Sequence, residues 1–541
     1  MRIEEGFRQE EPKLAHPFLD DPVLPGLVKR LFPDDRVDDV TRELKRFGDE
    51  INGYIRRQGT RTYPPTLTQY DHFSRRIDDL QTSEGWRALK AVAAKEGIVA
   101  IGYEFGGGEL ARVLMLMKTY MWTAESRTVG CPMAMTDGAA YVLQASGTNH
   151  MRRFLLPRLL SRDPKLAYTA GQWMTERPGG SDVSHTETIA RPIGNLGLES
   201  GAPYELSGVK WFSSATDGQL ALALAQVVGP TPAPTNPALL APTSGKHSLG
   251  LGLFVVPLPG ADLSLFTPNH DELVVQPRNG IGIHRLKNKI GTHALPTAEL
   301  TLEGTVGFLL LPSPVNPKGL ETGTGVVKPN GIRAIAPVLN ITRIHSATAS
   351  VGHLARCLAI AEAYTHVRRV AAPRVGKEKR EQVLLADVPL HTATLARVEL
   401  VRRALTHFLF GVVRLLGRVE TGKCICGGAR CRWNGRVHGR ARRTWVHGGN
   451  GNRQVRALQY ICVIDRVVLG LSENGYRLIR DSLVEKIWEG TTNVLALDMM
   501  KVAQEHSGTS VRALCEVSRP FTAPEAPSGI SISRDSRAVF G

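Results

Sequence analysis

Apolar residues recur at three- and four-residue spacing through "SEGWRALKAVAAKEGIVAIGY" (83–103), "GELARVLMLMKTYMWTAES" (108–126) and "NHMRRFLLPRLLSRDP" (149–164). That period puts one face of each segment against a core, and it predicts helices, the third stopping at a proline. The texture changes near Leu166. "LAYTAGQWMTERPGGSDVSHTETIA", "YELSGVKWFSSATDGQLALALAQVV", "LGLFVVPLP" and "GIGIHRLKNKIGTHALPTAELTLEGTVGFLL" are short β-rich runs divided by Gly/Pro turns. The loop "GPTPAPTNPALLAPTSGKHS" between them reads as exposed and mobile. Helical spacing returns with "GIRAIAPVLNITRIHSATASVGHLARCLAIAEAYTHVRRV" and "PLHTATLARVELVRRALTHFLFGVVRLL". Small residues along the first of these predict close helix–helix packing.

The pattern therefore predicts an α+β chain in consecutive blocks. An irregular N-terminal extension (1–60) precedes a helical domain (61–165) and a β-barrel or sandwich domain (166–312). A C-terminal helical bundle follows (313–502), then a Ser/Pro-rich tail (503–541) expected to be disordered.

Composition narrows the class. A chain of 541 residues with 42% hydrophobic and 22% charged residues is ordinary for a soluble globular protein. It has no apolar run of about 18 residues, so no membrane span is expected. The first residues are acidic and lack an apolar core, unlike a secretory signal, and the last do not form an SKL-type signal. Seven scattered cysteines make no disulfide framework. The expectation is a cytoplasmic or other soluble intracellular compartment.

The net charge of +16 points at first to a polyanionic partner. About half of it, however, comes from Lys423–Arg456, which holds nine Lys/Arg and no acid. Within that stretch Cys424, Cys426 and Cys431 lack the paired Cys spacing of a zinc site. Trp433 and Trp445 among the arginines would suit stacking on nucleic acid, which leaves DNA association open.

Three short motifs carry candidate chemistry. In "WMTERPGGSDV" (173–183), consecutive Gly and Ser at a strand exit offer backbone N–H groups and a hydroxyl to a phosphate or a flavin edge, or make a plain turn. "KWFSSATDG" sets an aromatic pair before two serines on the next strand. In "IWEGTTNVLALD", Glu489 follows Trp488, where desolvation would raise a carboxyl pKa toward that of a general base. A helix N-terminal acid is the alternative for Glu489.

Taken together and in this order, Thr-Glu-x-x-x-Gly-Ser-Asp, Lys-x-aromatic-x-Ser and a late Trp-Glu-Gly-Thr resemble the acyl-CoA dehydrogenase flavoproteins. "PPTLTQYDHFSRRIDDL", "CPMAMTDGAA", "GGSDVSHTET" and "LKNKIGTHALPTAEL" resemble its AidB-like branch more closely. The resemblance spans about residues 60–500. It implies FAD as cofactor and hydride acceptor, an acyl-CoA substrate, an unidentified electron acceptor and a homotetramer. By similarity Met174, Thr175, Gly180, Ser181, Phe212, Ser213 and Ser214 contact the flavin. Arg369, Thr491 and Asn493 hold the adenosine diphosphate portion, Arg369 across a subunit boundary. Ser181, Arg343 and Gly490 face the substrate, and Glu489 is the base that removes the α-proton. The alternative function is a nucleic-acid-associated protective flavoprotein with little dehydrogenase turnover.

Three departures stand out. His293 takes the place of a usual arginine, and "VAAPRVGKEKREQVLLAD" is longer than the usual segment after Arg369. The family's Gly-Gly-x-Gly-Tyr loop has no match before "LIRDSLVEKIWEG". Shifted by one base, codons for "NGRVHGRARRTWVHGG" can spell a stretch that contains this loop. Residues 421–470 are therefore best accounted for as a frame or intron error.

Overall fold

The computed structural model describes residues 6, 8–104, 108–194, 198–229, 248–311, 329–371, 382–421 and 473–488. The fold begins with helices where an irregular extension over 1–60 was expected. These are α1 (Leu24–Leu31), α2 (Asp34–Glu50) and, through one π-helical turn at Ile51–Ile55, α3 (Arg56–Gly59). Val40, Leu44, Phe47, Ile51 and Ile55 form a buried stripe at three- and four-residue spacing. The stripe is narrow and the rest of α2 is charged, which hides the period in the sequence. Pro33 takes the N-cap of α2, and Asp34 and Asp35 face the positive end of its dipole.

A second correction falls at 66–81. That part of the expected helical domain is an antiparallel hairpin, β1 (Thr66–Tyr70) with β2 (Arg76–Gln81). Its side chains reach the barrel: Gln69 Nε2 donates to the Ile283 carbonyl at 2.8 Å, and buried Asp78 accepts the Ile283 N–H at 3.0 Å.

Helices α4 (Glu84–Lys95), α5 (Ile101–Glu104), α6 (Ala111–Trp122), α7 (Gly130–Ser146) and α8 (Leu156–Leu159) follow. Every residue of α6 is buried, so its two charges need internal partners. Lys118 donates to Glu43 and Glu96, each at 2.7 Å. Arg112 meets Asp137 on α7 at 2.7 Å and Glu420 at 2.7 Å. Burial alone would raise the Asp137 carboxyl; Arg112 and His345 outweigh it and hold that group well below the usual carboxylate range.

In the middle of the chain lie β3 (Ala170–Trp173), β4 (Ile189–Pro192), β5 (Pro203–Ser214), β6 (Leu220–Val228), β7 (Ser248–Pro257), β8 (Ile281–Leu286) and β9 (Thr297–Leu310). Strand order is β3-β6-β4-β5-β9-β7, β8 adds to β9, and β7 pairs back onto β6, so the sheet closes. β6 shows why. Its sequence "LALALAQVV" is buried on both faces, with Leu220, Leu222 and Leu224 packed toward Leu143 and Val338 of the helices. Ala221, Ala223 and Ala225 pack with Phe254 and Leu206 in the barrel.

Beyond the barrel run α9 (Gly331–Thr365), the hairpin β10 (Arg369–Ala371) with β11 (Gln382–Leu384), α10 (Pro389–Glu420) and α11 (Glu473–Ser482). The stretch 422–472, where zinc, nucleic-acid and frame-error readings were concentrated, lies outside the described residues, as do 489–541.

On α9, burial pushes the His353 imidazole down to about 4, with Asp481 opposing the shift and Arg477 adding to it. Between pH 6.5 and 4 the unfolded chain therefore binds a proton that the folded chain does not, so stability falls as pH falls through that window. The loss from this one group is about 3 kcal/mol. Chemical denaturation from pH 7 to pH 4 is expected to show it, and His353→Leu to flatten the slope.

Candidate active site

The strand-exit turn and the aromatic–serine strand are joined by a buried ion pair. Glu176 and Lys210 are 4% and 0% exposed, and the Lys210 ammonium donates to the Glu176 carboxylate. Lys210 also donates to the Leu224 carbonyl at 2.7 Å, and Glu176 accepts the Glu187 N–H at 2.6 Å and the Thr188 N–H at 3.3 Å. Burial pushes the lysine pKa down, and Glu176 opposes that shift. Tied to each other and to the surrounding peptides, the pair fixes the start of the turn against β5. Both residues lie inside motifs visible in the sequence, but their pairing across 34 positions is not.

The turn itself is tight. The Glu176 and Gly179 peptides bond each other at 3.2 Å, and a Cβ on Gly180 would press against Thr175 at 3.0 Å. The Trp211 N–H donates to the Thr175 carbonyl at 2.9 Å, and the Trp173 indole N–H to the Ser214 carbonyl at 3.1 Å. Met174 is buried, and Gly180 and Ser181 are exposed.

Strand β5 is irregular at the site. Its register on β9 slips between Lys210 and Ser213, so Trp211 and Phe212 together oppose Glu299. A bulge of this kind re-aims side chains. Phe212 is left 46% exposed, with the Lys287 ammonium 4.3 Å from its ring centre and 3.3 Å from that of Trp211. Among the described residues the buried Ser213 hydroxyl has no hydrogen-bond partner. The Ser214 hydroxyl lies 3.0 Å from Thr297 Oγ1. These features fit a planar, polar-edged group such as a flavin: a half-exposed aromatic ring, a buried hydroxyl without a partner among the described residues, and glycine peptides at the rim.

The "LKNKIGTH" loop ties the barrel to the C-terminal helices. The Thr292 N–H donates to Asp481 on α11 at 2.6 Å, and a Cβ on Gly291 would run into the Arg480 carbonyl. Lys289 Nζ donates to the carbonyls of Thr292 and Leu295 and to Thr297 Oγ1, at 2.7, 2.9 and 3.0 Å. His293, in the place of the usual arginine, is exposed and its Nε2 lies 2.6 Å from the Lys289 carbonyl.

Arg343 is buried on α9. One turn further on, Ser346 and Glu485 both accept the Trp488 indole N–H, at 3.1 and 2.9 Å, and the Ser346 hydroxyl donates to Glu485. Trp488 is thus fixed on the same helix as Arg343. Glu489, Gly490, Thr491 and Asn493 lie outside the described residues. Arg369 sits on the exposed β10–β11 hairpin, where its Nη1 reaches the Gln382 carbonyl at 3.5 Å, and it joins none of these contacts.

A closed barrel packed on helices from both sides of it in the chain, with the Thr-Glu-x-x-x-Gly-Ser turn pinned to the Lys-x-aromatic strand, defines an acyl-CoA dehydrogenase-type protein. The family described as "Adaptive response protein AidB N-terminal domain" matches residues 12–164. Acyl-CoA dehydrogenase family member 11 of Caenorhabditis elegans is 34% identical over 524 residues, which cover 92% of this chain and 72% of that protein. The putative acyl-CoA dehydrogenase AidB of Escherichia coli (strain K12) is 27% identical over 463 residues, covering 82% and 70%. The crystal structure of C. elegans ACDH-11 in complex with C11-CoA superimposes with a TM-score of 0.77 at 32% identity, covering 96% of this chain and 79% of that one. The chain belongs to the acyl-CoA dehydrogenase family of FAD-dependent oxidoreductases, in its AidB-like branch. Among the described residues no helix is long and apolar enough to cross a membrane.

Proposed function

We propose that the chain binds FAD and removes hydrogen from the α and β carbons of an acyl-CoA thioester. The observation that carries this reading is the β5 bulge beside the buried Glu176–Lys210 pair, which leaves the Phe212 ring half-exposed and the Ser213 hydroxyl without a partner among the described residues. Met174, Thr175, Gly180, Ser181, Phe212, Ser213 and Ser214 would hold the flavin ring, and Arg369, Thr491 and Asn493 the adenosine diphosphate portion. When bound, FAD supplies the acceptor for the β-hydride. The remaining work falls to the chain. Glu489 takes the α-proton, Ser181 and Gly490 orient the thioester, and Arg343 places a positive charge at the substrate end of the pocket.

A thioester Cα–H is a weak acid, so a positioned carboxylate and stabilisation of the developing enolate are both required. The docking of Trp488 on Ser346 and Glu485 supports the first requirement, because it fixes the residue directly before Glu489. The C11-CoA complex of the C. elegans relative supports the substrate class.

The experiment is an absorbance spectrum of the purified protein, followed by anaerobic titration with saturated acyl-CoAs of increasing chain length. The expected result is a yellow protein that at least one of them bleaches. A protein without bound flavin, or one that none of them bleaches, overturns the reading.

A further inference from the structure

The Lys289 ammonium spends all three protons on oxygen acceptors, the third being Thr297 Oγ1. Thr297 is 3% exposed, and its hydroxyl lies beside one other side-chain group among the described residues, Ser214 Oγ at 3.0 Å. An ammonium cannot accept a hydrogen bond. The buried threonine proton therefore goes to Ser214, since leaving it unmade would cost about 1–3 kcal/mol. Ser214 then accepts from Thr297 and keeps its own proton for another acceptor, on the strand that exposes Phe212.

We infer that Lys289, acting through Thr297, holds the Ser214 hydroxyl as a hydrogen-bond donor to an acceptor atom of the flavin. The inference rests on the FAD reading above. Lys289 and Thr297 are positioning residues, since neither needs to touch the cofactor. Reduction adds negative charge to a flavin, so a committed donor stabilises the reduced form and raises the midpoint potential.

The chain has a built-in direction that depends on the lysine charge. Burial pushes Lys289 down to about 8. The groups set against it are Asp481 from α11 and Cys131 from α7, with the His293 ring on its own carbonyl. Above that pH a neutral amine accepts from Thr297, Thr297 accepts from Ser214, and Ser214 no longer donates outward.

The test compares Ser214→Ala, Thr297→Val, Thr297→Ser and Lys289→Met with the wild-type protein, reading flavin content, midpoint potential and the rate of flavin reduction by a saturated acyl-CoA. Ser214→Ala, Thr297→Val and Lys289→Met are each expected to keep FAD, to shift the potential downward, and to slow reduction by about tenfold, the size of one hydrogen bond. Thr297→Ser should restore the wild-type values. In the Ser214→Ala background Lys289→Met should add nothing further. The wild-type potential should also lose its donor-dependent part near pH 8, and Thr297→Val should lack that step. Thr297→Val keeps the loop contacts of Lys289 and carries the test even where Lys289→Met fails to fold. A wild-type protein without flavin overturns the FAD reading itself. A yellow wild type whose potential and reduction rate are unchanged by Thr297→Val, or effects that simply add to Ser214→Ala, overturn this inference alone.

Discussion

Glu489→Gln is expected to give a protein that stays yellow but is no longer bleached by acyl-CoA, its rate of flavin reduction down by about 10²–10⁴-fold. The size of the effect follows from the chemistry of the substrate. Without a base within reach, the α-proton of a thioester leaves far too slowly, and an amide of the same shape cannot take it. Retention of colour is expected because the flavin contacts proposed above lie on the turn after β3 and on β5, not at residue 489. The neighbouring anchor also survives, since the Trp488 indole is bound to Ser346 and Glu485, neither of which is altered. Anaerobic stopped-flow mixing with a saturated acyl-CoA measures the rate directly. Undiminished bleaching would remove Glu489 from the role of base, and a colourless variant would make it a cofactor-holding residue instead.

The parts of this site that were legible in the sequence are those in which chemistry and turn lie within a few residues of each other. Gly180 and Ser181 follow Thr175 and Glu176 in one short loop. The β-rich runs were equally plain, because strands buried on both faces, such as "LALALAQVV", carry little but apolar residues. Two kinds of feature were hidden. A helix with a one-residue-wide apolar stripe, such as α2, reads as polar chain until Leu44 and Phe47 are seen in the core. Contacts set by register were hidden as well: Ser214 meets Thr297, 83 residues away, only because β5 bulges by one residue against β9. Sequence spacing carries no trace of such a slip, since a strand shows its alternation and not its partner.

The Glu176–Lys210 pair is where the loss of one side chain should cost the fold most. Glu176→Ala is expected to lower stability by about 3–5 kcal/mol and to lose the flavin with it. The mutation removes the acceptor from a fully buried ammonium, leaving it the Leu224 carbonyl alone, and it strands the Glu187 and Thr188 N–H groups. Burial already holds the Lys210 pKa down, so the stranded lysine would be driven toward its neutral form, and the turn carrying Gly180 and Ser181 would come loose from β5. Lys210→Met should be milder. The carboxylate it leaves behind still accepts from two peptide N–H groups and the Thr188 hydroxyl, which together stabilise a buried anion. Glu176→Gln combined with Lys210→Met removes both charges and keeps an acceptor for those N–H groups, so it should recover much of the stability lost in Glu176→Ala. Denaturant unfolding of the three variants, with flavin bound per chain measured on each, separates these outcomes. If Glu176→Ala cost less than about 1 kcal/mol, the two motifs would have to be held together by something other than this pair.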